Sequence, residues 1–438
     1  MKNIINNGVT SLNSNSSRKA SFILFFVQIN NLIKKSILGL TISFSPIFLE
    51  PALATNGFSS YCIGPFKCAT GGAGAASATS AIDGLINPAL ISKQDNNWLI
   101  DFKLTHLDLN VDTSSAPIGN KIGKQKSVLT EVLDFAAGIS YNVNEDLKVA
   151  LAVASSGGGL TKYKSPRTNI MLQKAPSFDT TAVYRLVHIA PTASWNFRDN
   201  MSIGVSFLLG YSDFKTDSAS VKPNPEGMLV QTNGSNKQQS AWGYGARLGV
   251  VWDTNELLTF GASYSTPVWF KKFTKYNDIL LGPINTPMNF VLGSAWHITP
   301  NTDFLFDIKK LFYKKIKALG TTPANGGLGW TNQTVFMIGV TQSYDSWSAS
   351  IGYNYAKSPI AKDKTFANSL FPAIIEQHFT AGIGYKIIEN VELLLGGFYA
   401  PRKIQIDPGT GDKFSQGGKS TRLSIAQYGF SLGTKYNF

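Results

Sequence analysis

Counting back from the terminal Phe438, every second residue is Tyr436, Thr434, Leu432, Phe430, Tyr428 and Ala426. Between them lie Asn437, Lys435, Gly433, Ser431, Gly429 and Gln427. A period of two with one apolar and one polar face is that of a β-strand. In a soluble sheet the apolar face would meet a core. Here that face carries aromatics at both ends and closes the chain on one, as a transmembrane barrel strand does where it meets lipid and its interfaces.

Composition points the same way. The chain has 40 glycines, 12% aromatic residues and only 15% charged residues, whereas an ordinary soluble domain carries about 25% charged residues. A helical membrane protein needs apolar runs of about 20 residues, and beyond residue 54 there are none. A barrel satisfies both facts, because only alternate residues of each strand face lipid. At the N-terminus, Lys34 and Lys35 precede a mostly apolar stretch from Ser36 to Leu49 and then Ala52-Leu53-Ala54. That order predicts a secretory signal over residues 1–54. The alternative, a membrane anchor, has to accommodate a short run broken by Pro46.

Strand candidates alternate with two kinds of connection. Short polar turns fall at 142–146, 198–200, 253–256, 299–301, 344–346 and 389–390. Longer stretches rich in Ser, Asn, Gly, Lys and Pro fall at 111–130, 157–181, 215–240, 271–286, 314–330, 359–374 and 403–420. Six short turns and seven long loops connect fourteen strands. An even strand number with short turns on one rim is the bacterial outer-membrane arrangement. The expectation is an all-β, 14-stranded antiparallel transmembrane barrel over residues 98–438. Residues 55–97 break the pattern: they are Gly/Ala-rich with no alternation, which predicts either a periplasmic leader or a hatch packed inside the lumen. Cys62 and Cys68 lie in this segment, and an oxidising compartment permits a disulfide between them. With no histidine nearby, a metal site is not expected.

Several motifs in order resemble a known family. Phe58-Ser59-Ser60, the Gly/Ala run and Asn87-Pro88-Ala89-Leu90 are similar to its N-terminal hatch. Gly159-Leu160-Thr161-Lys162-Tyr163 is similar to its segment around a strand kink, and Tyr353-Asn354-Tyr355-Ala356-Lys357-Ser358-Pro359 with Phe371-Pro372 to its penultimate outer loop. Over the whole mature chain the sequence resembles the outer-membrane long-chain fatty-acid transport family. These are the FadL-type channels, which include importers of toluene-like hydrocarbons. The resemblance implies passive uptake of a long-chain fatty acid or similar hydrophobic molecule, without a cofactor. The route would lead through a lumenal pocket and sideways through an opening where the third strand bends.

The resemblance also implies roles for particular residues. Gly159 is the candidate kink, set against a simple loop start at Gly157-Gly158-Gly159. Asn87 would tie the hatch to the bent strand, Pro88 would fix the turn, and Ala89 completes the motif. Arg247, mid-strand on the polar face, is a candidate for the ligand carboxylate, as is Lys215; an ordinary lumenal ion pair is the alternative for Arg247. Lys271, Lys272, Lys275 and the Lys309–Lys317 group are expected at the outer rim, facing lipopolysaccharide phosphates. The other readings are a general diffusion porin, an importer of aromatic hydrocarbons and an outer-membrane hydrolase. The last would need a nucleophile and base that His106, His188, His297 and His378 do not show by spacing. A monomer in the outer membrane, with no nucleic-acid partner, is the resulting expectation.

Overall fold

The computed structural model describes residues 56–117, 123–164, 180–216, 220–223, 229–232, 237–277 and 279–438. The expected signal segment, 1–54, lies outside them. Fourteen antiparallel strands form the wall. The first seven are β1 (Asn97–Asp112), β2 (Glu131–Asn142), β3 (Leu147–Tyr163), β4 (Thr180–Arg198), β5 (Met201–Thr216), β6 (Gln239–Asn255) and β7 (Leu258–Ser265). The remainder are β8 (Asn289–Thr299), β9 (Thr302–Leu311), β10 (Gln333–Ser343), β11 (Trp347–Ala356), β12 (Gln377–Ile388), β13 (Val391–Ile406) and β14 (Arg422–Asn437). Each strand pairs with the next in sequence, and β14 pairs with β1 from Asn437–Asn97 to Arg422–Asp112. The sheet therefore closes and has no free edge, the only way a sheet can cross a bilayer.

The alternation faces outward. Phe430 is 67% exposed while its neighbour Ser431 is 5% exposed, the reverse of a soluble core. Near the short-turn rim, Tyr141, Trp195, Trp252, Trp296, Trp347 and Tyr385 all project outward, forming an interfacial aromatic belt. The short turns fall where Asn, Asp and Glu predicted them. The second long connection differs: β3 continues as strand through Tyr163, so residues 157–163 are strand and not loop.

Residues 56–96 pack inside the barrel as the hatch. They contain a short helix, α1 (Pro65–Ala69), and two 3-10 turns, Ala81–Leu85 and Pro88–Lys93. The hatch can lie against the wall because inward wall positions are glycines. A Cβ on Gly204 of β5 would collide with the Pro88 backbone, and one on Gly261 of β7 with the Ala75 carbonyl. Across the lumen, a Cβ on Gly352 of β11 would collide with the Thr70–Gly71 backbone. Within the hatch, buried Lys67 sits 3.7 Å from buried Asp83 and donates to the Gly74 carbonyl at 3.0 Å. Asp83 in turn accepts from the Thr79 amide at 2.6 Å. A charge this far from water is tolerated because it is paired and hydrogen-bonded. Cys62 and Cys68 are joined in a disulfide that brackets the start of α1, with Cα atoms 5.0 Å apart.

Candidate functional site

The hatch leaves a small cavity of about 90 Å³ on one side of the lumen. Leu186, Leu208, Val291, Leu311 and Met337 supply apolar wall, and Ile63, Leu85 and Ile86 supply apolar hatch surface. Besides Lys67, which is paired with Asp83, two cations face the same space, Arg247 from β6 and Lys309 from β9. Among the described residues neither makes an ion pair, and the Arg247 Nε is buried without a hydrogen-bond partner. Asp307 also reaches the cavity, but its Oδ2 is held by the Gly74 and Ala75 amides at 2.9 and 2.8 Å. That leaves a pocket of mixed lining, with Ser59, Ser60, Ser156 and Asn289 beside the apolar side chains, and with excess positive charge, an environment that calls for a bound anion.

Lys309 corrects the expectation that placed it at the outer rim. Ile308 on β9 is outward and exposed, so its neighbour Lys309 turns inward by the strand period. Lys215 goes the other way. At the end of β5 it shares the alternation of outward Phe207, and it does not line the cavity.

One side of the cavity is formed by the bent end of β3. The ladder between β2 and β3 runs from Asn142–Lys148 only to Ala136–Ala154, although β2 reaches back to Glu131 and β3 onward to Tyr163. Beyond Ser155 the β3–β4 register shifts by one residue. From Ser156 to Thr161 both faces of β3 are buried, so the strand has left the wall surface and turned inward. The lower edge of the resulting window is the Phe135 amide on Ser155 Oγ at 3.3 Å, and the upper edge is the Val128 amide on the Lys162 carbonyl at 2.8 Å.

The hatch takes the place that β2 gives up. The Ser60 amide donates to the Ser156 carbonyl at 3.0 Å, and the Gly158 amide donates to the Phe58 carbonyl at 2.9 Å. Gly157 bridges Ser59, and a Cβ there would collide with the Phe58 carbonyl. Gly159 lies two residues further on, buried and opposite Tyr184. Phe58 is held edge-on by Tyr184 and Tyr313 at 5.5 and 5.4 Å, with Trp330 at 6.1 Å. Tyr313, in the loop after β9, hydrogen-bonds Ser59 Oγ at 2.9 Å; burial pushes its phenol pKa up, which keeps it a neutral hydroxyl. The tip of β3 is fastened to an outer loop by Thr161 on the Leu370 carbonyl (2.8 Å) and Tyr163 on the Ser369 carbonyl (2.9 Å).

Asn87, Pro88 and Ala89 form the start of the second 3-10 turn. Asn87 Nδ2 donates to the Ala75 carbonyl at 2.7 Å and to the Val250 carbonyl at 3.1 Å, and its Oδ1 accepts from the Ala89 amide at 3.2 Å. The side chain thus ties the hatch to β6 and not, as expected, to the bent strand. His378 is fully buried and stacked on hatch Tyr61 at 4.7 Å. On the same ring, Lys103 lies 5.5 Å from the centroid while pairing with Asp134 at 3.3 Å. Near the short-turn rim, Thr259 Oγ1, His297 and Asp303 line up at 3.4 and 2.7 Å. Yet the Thr259 hydroxyl donates to Asp253 at 2.7 Å, which directs its proton away from the imidazole that a nucleophile would need.

Below the hatch the lumen is polar: a vestibule lined by Thr79, Asp303, Ser343, Lys386, Glu392 and Lys435.

This architecture is shared with solved structures. The toluene transporter TodX of P. putida superposes with a TM-score of 0.67 at 17% identity, covering 86% of this chain and 99% of that one. The toluene transporter TbuX of Ralstonia pickettii gives 0.63 at 14% identity, covering 86% and 99%. A FadL homologue of Pseudomonas aeruginosa gives 0.64 at 12% identity, covering 87% and 100%. At these identities the likeness shows the fold. No curated protein matches the chain. The sequence profile described as outer membrane protein transport protein (OMPP1/FadL/TodX) matches residues 64–438. The chain belongs to that family, and it is a bacterial outer-membrane β-barrel of the kind that takes up hydrophobic compounds.

Proposed function

We propose that the protein carries long-chain fatty acids, or similar hydrophobic carboxylates, passively across the outer membrane. The observation that supports this reading is the pair Arg247 and Lys309, without an acidic partner among the described residues, on a cavity that also presents Leu186, Leu208, Val291, Leu311 and Met337. A neutral hydrocarbon has no use for two desolvated cations, whereas a carboxylate compensates them with charge-assisted hydrogen bonds. Its tail gains about 0.8 kcal/mol for each methylene kept from water. Exit through the polar vestibule would forfeit that gain. Exit between β2 and β3, along the inward-bent Ser156–Thr161, would carry the tail directly into lipid.

The competing reading is an aromatic hydrocarbon such as toluene, the substrate named for TodX and TbuX. The small, Leu- and Met-lined cavity favours it. Uptake of labelled oleate and labelled toluene by an outer-membrane host lacking its own importer separates the two. Fatty-acid transport predicts oleate uptake that falls in Arg247→Gln/Lys309→Gln. The loss of charge-assisted hydrogen bonds is worth about 2 kcal/mol, or about thirtyfold in affinity. Toluene uptake without oleate uptake, unchanged in the double variant, would replace the fatty acid with the aromatic ring.

A further inference from the structure

A second charged cleft lies on the opposite surface of the wall, facing the membrane. It is lined by Asp108, Asp112, Lys124, Lys126, Arg402 and Arg422. On β1, Leu107, Leu109 and Val111 are buried inward, so Asp108 and Asp112 point outward by the strand period. On β14, Leu423 and Ile425 are buried inward, which turns Arg422 outward. Past the bulge in β13 between Ala400 and Lys403, exposed Ile404 and Ile406 alternate with buried Gln405, so Arg402 also points outward. The short strand Lys124–Lys126 pairs with Asn110–Asp112 and brings its two exposed lysines alongside.

The charges sit in two tiers, each a carboxylate between two cations. In the lower tier, Asp108 accepts from Lys126 at 3.2 Å and from Arg402. In the upper tier, Asp112 is opposite both Arg422 and Lys124 in register. Four cations against two carboxylates leave an excess of two positive charges. The height of the cleft is as informative as its charge. Directly below it, Ile100, Phe102 and Leu104 on β1, with Tyr428, Phe430 and Leu432 on β14, form the exposed apolar band. His106 stacks on Tyr428 at 4.8 Å to close that band, and Asp108 is the next outward residue. Two residues rise about 7 Å along a strand and about 5 Å along the membrane normal at the usual tilt. The polar layer of one leaflet is about 5–8 Å thick. The cleft therefore stands at phosphate depth on the long-loop side.

We infer that this cleft on β13, β14, β1 and Lys124–Lys126 binds the phosphates of an outer-leaflet glycolipid of the lipid A type. The site is separate from the transport cavity and does not depend on what the barrel carries. Asp108 and Asp112 hold the four basic side chains extended, and the lipid phosphates take up the excess charge.

The test is native mass spectrometry of the whole barrel in mild detergent. It is run with bisphosphorylated lipid A, with dephosphorylated lipid A and with inorganic phosphate. The intact protein should retain bisphosphorylated lipid A, and Lys124→Gln/Lys126→Gln/Arg422→Gln should retain about a hundredfold less, at about fivefold per charge removed. Lys357→Gln/Lys362→Gln, exposed in the long loop after β11, should retain as much as the intact protein. Heat-modifiable migration on gels confirms that each variant is a folded barrel. Undiminished retention by the triple variant, or equal retention of the dephosphorylated lipid, overturns the site. Equal retention of inorganic phosphate overturns the assignment to lipid.

Discussion

At Gly157 the missing side chain lets two backbones meet, two residues before Gly159, to which the family resemblance assigns the kink. A Cβ at Gly157 would press on the Phe58 carbonyl that accepts from Gly158. Gly157→Val should break the two hydrogen bonds joining hatch and β3, about 1 kcal/mol each, and free the hatch tip. The expected result is oleate uptake changed by about thirtyfold in a barrel that still migrates as folded; unchanged uptake would dismiss this contact as a control point. At the same scale, Arg247 was legible because its strand alternates without interruption from Trp242 to Trp252. Lys309 was missed because it was grouped with Lys314, Lys315 and Lys317 as one basic run. The alternation Phe304, Phe306, Ile308 would have turned it inward.

Among elements, turn chemistry was easier to read than tertiary partners. The Asn-, Asp- and Glu-bearing turns are local and fell as predicted, because a two- to five-residue connection is fixed by its own sequence. β3 was cut short at residue 156 because three successive glycines look like a loop. Its pairing to β4 and to the hatch depends on residues far away in sequence. The partner of Asn87 was likewise invisible, since the Val250 carbonyl is a backbone group with no sequence signature. The structure makes that bond testable. Asn87→Ala leaves the buried Ala75 carbonyl without this donor, a loss of about 1–3 kcal/mol, and removes the part-buried bond to the Val250 carbonyl. Hydrogen exchange should quicken across 70–93 while the β9–β14 strands keep their protection. Equal protection of the hatch in the variant would show that the inward glycines alone hold it.

Taken as a whole, the molecule is a tube whose lumen is occupied by about forty residues of its own chain. Fourteen strands enclose a lumen that side chains alone would not fill, and the hatch contacts the wall from β5–β7 across to β11–β12. The hatch also pairs with β3 beside the window, so blocking the tube and shaping the opening are done by one segment. Deleting residues 56–93 should separate the two effects. The closed fourteen-strand ladder does not run through the hatch, so the barrel should still assemble and resist unfolding in detergent. In planar bilayers the deletion should show steady, stepwise ion conductance that the intact chain lacks, because the remaining lumen is polar. Oleate uptake should fall at the same time, since Gly157 and Ser156 lose the strand that holds them inward. Conductance of the intact chain as large as that of the deletion would mean that the hatch does not seal the lumen, and the protein would then act as a general porin.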